Sequence, residues 1–66
     1  MKNIYLLRNN GHKNGMMKGC IVVADSEAEA ARINPSDHPY QWTDRISVEK
    51  IGIADDNLDR TILEKW

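Results

Sequence analysis

Few side chains in this sequence have the chemistry of a catalytic or metal site. His12, Cys20, Asp37 and His38 are the tempting metal ligands, and only Asp37 and His38 are close in sequence. A structural zinc site needs four ligands at short, fixed spacings, and no such set occurs. Neither a metal nor a cofactor is expected. Cys20 is the single cysteine and lies inside an apolar run with no sequence-local activator. It is expected to be a buried, inert thiol rather than a nucleophile. Gly11, Gly15 and Gly19 recur every four residues. They precede no helix, so they read as turn glycines and not as a phosphate cradle. No Ser-His-Asp arrangement and no convincing acid–base pair is present, and the chain is not expected to be an enzyme.

The stretch from Cys20 to Pro35 organises the rest of the chain. Cys20-Ile21-Val22-Val23-Ala24 is a continuous apolar run with a β-branched centre, the pattern of a strand with little solvent on either face. Ser26 and Glu29 then stand at capping-box spacing. The hydroxyl is expected to accept from the Glu29 N–H, and the carboxylate to reach back to the Ser26 N–H. Glu27 and Glu29 suit the positive end of a helix dipole, and Ala28, Ala30 and Ala31 favour helix. Asn34 can take a left-handed cap, while Pro35 behind it favours an extended backbone and stops the helix. A helix of about two turns cannot stand alone in water, so it must pack on a sheet.

Sixty-six residues make one domain, and a lone cysteine excludes an internal disulfide. The apolar patch Ile4–Leu7 is far too short for a signal-peptide core or a membrane span, which places the protein in the cytoplasm with no membrane partner. The net charge of −1 hides an asymmetry. Residues 1–24 carry four bases and no acid, whereas residues 25–66 carry ten acids against five bases. Such polarity can steer a charged partner.

In chain order, Asn3–Arg8 reads as a first strand, with Tyr5 and Leu7 on one face and Ile4 and Leu6 on the other. Asn10-Gly11 and Asn14-Gly15 are turn signals, predicting a hairpin that pairs residues 3–8 with about 17–24. Residues 34–44 read as a loop carrying Tyr40 and Trp42. Residues 45–54 read as a third strand whose apolar parity slips by one between Val48 and Ile51. A bulge near Glu49-Lys50, or a bend at Gly52, would restore it. Asp55-Asp56-Asn57 is a turn, and residues 60–66 form a fourth strand, with Ile62 and Trp66 facing one way and Leu63 the other. The fold class is α+β, ββαββ: a four-stranded antiparallel sheet with one short helix packed on one face.

Tyr5-Leu6-Leu7-Arg8, the run Val22–Arg32, Pro35, Trp42, Val48–Ala54 and Ile62-Leu63 together give the chain a recognisable pattern. It resembles a set of small proteins from phages and bacterial genomes with a Val-Val-Ala-x-Ser-Glu-x-Glu-Ala helix start and an Ile-Gly-x-Ala strand. The resemblance implies a phage or mobile-element accessory protein that acts by binding a host protein, such as a defence component, in the manner of anti-CRISPR inhibitors. It carries over no catalytic residue.

The expected function is therefore a small protein-binding module. Its contact surface would be built from Tyr40 and Trp42 in the loop and from Asp55, Asp56 and Asp59 in the acidic turn. For Trp42 the other reading is a lid over the core. The alternative function is nucleic-acid binding by the basic hairpin, with Arg8, Lys13 and Lys18 on phosphates and Tyr5 or Tyr40 stacking. A sequence pI of about 6.0 disfavours it. An open sheet also exposes two edges through which a homodimer can form.

Overall fold

The computed structural model describes residues 1–66, the side chain of Pro39 excepted. The elements follow the order β1 (Lys2–Asn9), β2 (Gly19–Ala24), α1 (Glu27–Ala31), a single 3-10 turn (Pro39–Gln41), β3 (Ile46–Ala54) and β4 (Ile62–Lys65). The four strands make one antiparallel sheet in the spatial order β3-β1-β2-β4. Among the described residues no helix is long and apolar enough to cross a membrane.

Two local turns set the β1–β2 hairpin. The His12 N–H donates to the Asn9 carbonyl at 3.2 Å, closing a turn around Asn10-Gly11. The Met16 N–H donates to the Lys13 carbonyl at 2.9 Å, closing a second around Asn14-Gly15. Gly15 has φ +84°, the conformation that only glycine adopts without strain. The strands then register Asn3 on Ala24 through Arg8 on Gly19.

Alternation along β1 sends Tyr5, Leu7 and Asn9 to one face. Tyr5 and Leu7 join Cys20, Val22, Ala24 and Ala30 in the core, with Ile33, Trp42, Ile46, Val48 and Ile62 packed around them. The helix sits over this face through Ala30, whose small side chain allows a close approach. Ser26 caps it as the spacing predicts: the Glu29 N–H donates to Ser26 Oγ at 3.2 Å. The Glu29 carboxylate reaches one residue further back than expected, accepting the Asp25 N–H at 3.2 Å. The helix is one and a half turns, shorter than the two expected, and ends at Arg32 in a right-handed conformation. Asn34 takes no left-handed cap, as Pro35 behind it disfavours. Ser26→Ala is expected to cost about 1 kcal/mol in a urea titration; an unchanged midpoint would remove the cap from the account.

The parity slip in the third strand is a bulge. Tyr5 pairs with Lys50 and Ile4 with Gly52, leaving Ile51 as the extra residue. The bulge does not bury the isoleucines beyond Val48: Ile51 and Ile53 remain 47% and 63% exposed on this edge strand. A second shift separates Ile21 and Val22 in their pairing with β4. It reverses the expected side of Trp66, whose ring lies beside Gly19 rather than on the Ile62 face.

Cys20 is fully buried, and that burial pushes its thiol from 9.0 up to about 11. The unfolded chain therefore loses this proton near pH 9 while the folded chain holds it to about 11. Stability falls across that window by up to about 3 kcal/mol. Urea midpoints of the native protein and of Cys20→Ala are expected to converge as pH rises from 8 through that window; a constant gap would contradict the burial.

Candidate interaction surfaces at the two ends of the sheet

β1 links two chemically different ends. Lys2 pairs with Ala54 and Asn3 with Ala24, so the segments after β2 and β3 leave the sheet together. These segments carry Asp25, Glu27 and Glu29 on one side and Asp55, Asp56 and Asp59 on the other, all six exposed. Against them stand Lys2 and Arg60. Asp25, Glu29, Asp59, Lys2 and Arg60 share the walls of one shallow cleft of about 270 Å³, floored by Val23. That volume is below the usual range for a small-molecule pocket.

The acidic turn is locally ordered. Asp55 Oδ1 accepts the Asn57 N–H at 2.8 Å, and the Leu58 N–H donates to the Asp55 carbonyl at 3.0 Å. Asp56 Oδ1 accepts the Lys2 backbone N–H at 3.3 Å, and Lys2 Nζ donates to the Leu58 carbonyl at 2.7 Å. The Asp55 carboxylate thus holds the turn, while Asp59 faces the cleft.

At the other end of β1 the hairpin tip meets the 36–45 segment. The Met17 N–H donates to the Gln41 carbonyl at 3.1 Å and the Asn10 N–H to the Arg45 carbonyl at 2.8 Å. Asn9 sits at the centre of this junction, 1% exposed. Its Nδ2 donates to the Met17 carbonyl at 2.8 Å, and its Oδ1 accepts from the Thr43 hydroxyl. Tyr40 is 72% exposed and stacks on His38 with ring centroids 5.4 Å apart. Trp42, two residues on, packs against the core. Arg8, Lys13 and Lys18 are exposed on the same half of the molecule.

The structure separates the residues that the sequence reading joined. Tyr40 and Trp42 lie at the hairpin end; Asp55, Asp56 and Asp59 lie at the opposite end of β1, so no single surface contains all five. The reason is topological. β3 returns antiparallel to β1, and its length carries the acidic turn away from the loop that precedes it. Trp42 takes the lid position, and of the two loop aromatics only Tyr40 is exposed. The reading of the sequence also missed what joins the acidic turn: Asp25, Glu27 and Glu29, which it treated only as helix-start residues. The excess of acids after residue 24 was the signal, and the β2 and β3 registers turn it into a spatial cluster.

Of the other residues with metal or nucleophile chemistry, His12 Nδ1 lies 2.9 Å from the Asn9 carbonyl, His38 stacks on Tyr40, and Cys20 is in the core. Among the described residues, no group of three or more His, Cys, Asp or Glu side chains is placed to hold a metal ion. No protein-family model, curated protein or solved structure matches this chain.

Proposed function

We propose that this protein is a small, non-enzymatic binding module that docks on a basic surface of a larger protein through its acidic end. The observation that carries the reading is the meeting of Asp25 and Glu29 with the sequence-distant Asp59 in the walls of one cleft, which Lys2 and Arg60 share. Exposed carboxylates from a cap and an ordered turn present a negative field that speeds encounter with a basic partner and fixes its orientation. The resemblance to small phage and bacterial-genome proteins supports a host protein, such as a defence component, as that partner, with inhibition as the outcome of occupying its surface. The cytoplasm is the compartment where such a partner would be met.

A second reading, nucleic-acid binding, gains one observation: the exposed Tyr40–His38 stack lies on the same half as Arg8, Lys13 and Lys18. Stacked aromatics beside cations suit single strands. The two readings part in a direct assay. Fluorescence anisotropy with a labelled single-stranded oligonucleotide at physiological salt is expected to give no binding tighter than about 1 μM. Tighter binding that collapses with added salt and is lost in Tyr40→Ala would move the function to the hairpin end.

A further inference from the structure

The helix covers one face of the sheet, and among the described residues no helix covers the other. That open face carries Ile4, Leu6 and Arg8 of β1 opposite Val23, Ile21 and Gly19 of β2. Glu49 of β3 lies beside Leu6, and Glu64 of β4 beside Ile21. Ile4, Leu6 and Ile21 are half-buried. Trp66 closes one corner: a Cβ on Gly19 would lie 3.1 Å from its ring, and the residue is 49% exposed. At the opposite end the segment after β3 approaches Val23 and Lys2, which leaves the half nearer Arg8 open.

The charges on this face form a cross. The row Glu49–Leu6–Ile21–Glu64 spans the sheet with a carboxylate at each edge. Each Glu stands one and a half strand spacings, about 7 Å, from the middle of the row. Arg8 stands two residues along β1 from the row, which is also about 7 Å. Turning one such face by a right angle on another brings the Arg8 of one copy over a Glu of its partner. Trp66 follows Glu64 by two residues, beside Gly19 and on the diagonal between Arg8 and Glu64.

We propose that this chain forms a twofold dimer through its open sheet face, with the two sheets crossed near a right angle. Arg8 of each copy pairs with Glu64 of the other, Leu6 and Ile21 pack at the centre, and the two Trp66 rings meet on the axis. Near-perpendicular crossing is one of the two ways in which sheets pack face to face. A twofold interface must be self-complementary, and this face carries both signs at matching distances. The open half, four strands by about three residues, gives about 200 Å² in projection. That is well below the size of a stable specific interface, so the dimer is a weak one, with an expected dissociation constant of about 100 μM. The edges are poorer templates, since β3 is broken by its bulge and β4 is four residues long.

Sedimentation equilibrium of the full chain, from low micromolar to submillimolar concentration, tests this. The native protein is expected to pass from monomer to dimer within that range. Arg8→Glu and Glu64→Arg are each expected to weaken the dimer at least about tenfold, by putting like charges together. The double variant, Arg8→Glu with Glu64→Arg, swaps both pairs and is expected to restore it to within about threefold of the native value. Both sites are on the surface, and circular dichroism checks that each variant stays folded. A chain that is monomeric throughout overturns the dimer and leaves the face to a foreign protein. Single variants without effect, or a double variant that stays weak, overturn the crossed arrangement.

Discussion

Trp42→Ala is expected to destabilise the domain by about 3 kcal/mol, the lower end for loss of a packed Trp, because the ring is half-buried. The indole packs against the core formed by Tyr5, Leu7, Cys20 and Val22, at the point where the 36–45 segment returns to the sheet. A domain of this size holds only about 3–10 kcal/mol in all, so the variant should sit at the edge of unfolding. Tyr40→Ala, two residues away and 72% exposed, is expected to shift stability by no more than about 0.5 kcal/mol. Urea titration followed by circular dichroism separates them. A Trp42→Ala protein with a native midpoint would make this residue a contact and not a lid.

Asn9→Ala should cost about 2–4 kcal/mol, a large loss for one polar side chain. Its amide ties the hairpin tip to the 41–45 segment: Nδ2 donates to the Met17 carbonyl and Oδ1 accepts from the Thr43 hydroxyl. Truncation leaves both partners without their hydrogen bond, and each buried orphan costs about 1–3 kcal/mol. The hairpin tip and the Tyr40 segment should then loosen together. Hydrogen exchange at the Met17 amide, which donates to Gln41, is expected to speed up in this variant more than exchange at Val22 in the sheet. Equal acceleration at both would show that Asn9 supports the whole fold and not this junction.

These two residues show what the sequence made legible. β1 and β2 stood out because apolar runs were bounded by Asn-Gly turns, and the capped helix because Ser26 and Glu29 act within one turn of chain. The bulge was legible as a break in parity, placed within a residue of Ile51. What sequence-local reasoning does not carry is pairing between distant segments. Asn9 lies just past the strand expected to end at Arg8, and only the return of the 41–45 segment makes it a buried tie. Trp66 was assigned by simple alternation, which the shift between β2 and β4 reverses. The five expected contact residues lie at two ends of the sheet for the same reason. Tyr40 and Asp55 are close in sequence order of elements, but the nine-residue β3 stands between them. In exchange, the β2 and β3 registers bring Asp25 and Glu29 to Asp59, an association that no local pattern announces.

The central claim is that the acidic end docks on a protein. Its most direct measurement is quantitative affinity capture from a lysate of the organism that encodes the chain. Three baits are compared: the native protein, the triple variant Asp55→Asn, Asp56→Asn and Asp59→Asn, and Tyr40→Ala. The account predicts a basic host protein that is held by the native chain and by Tyr40→Ala. The triple variant should lose it, and binding kinetics with the purified partner should show a slower, less salt-sensitive association for that variant. A partner retained in full by the triple variant, with unchanged association rate and salt response, would contradict the claim.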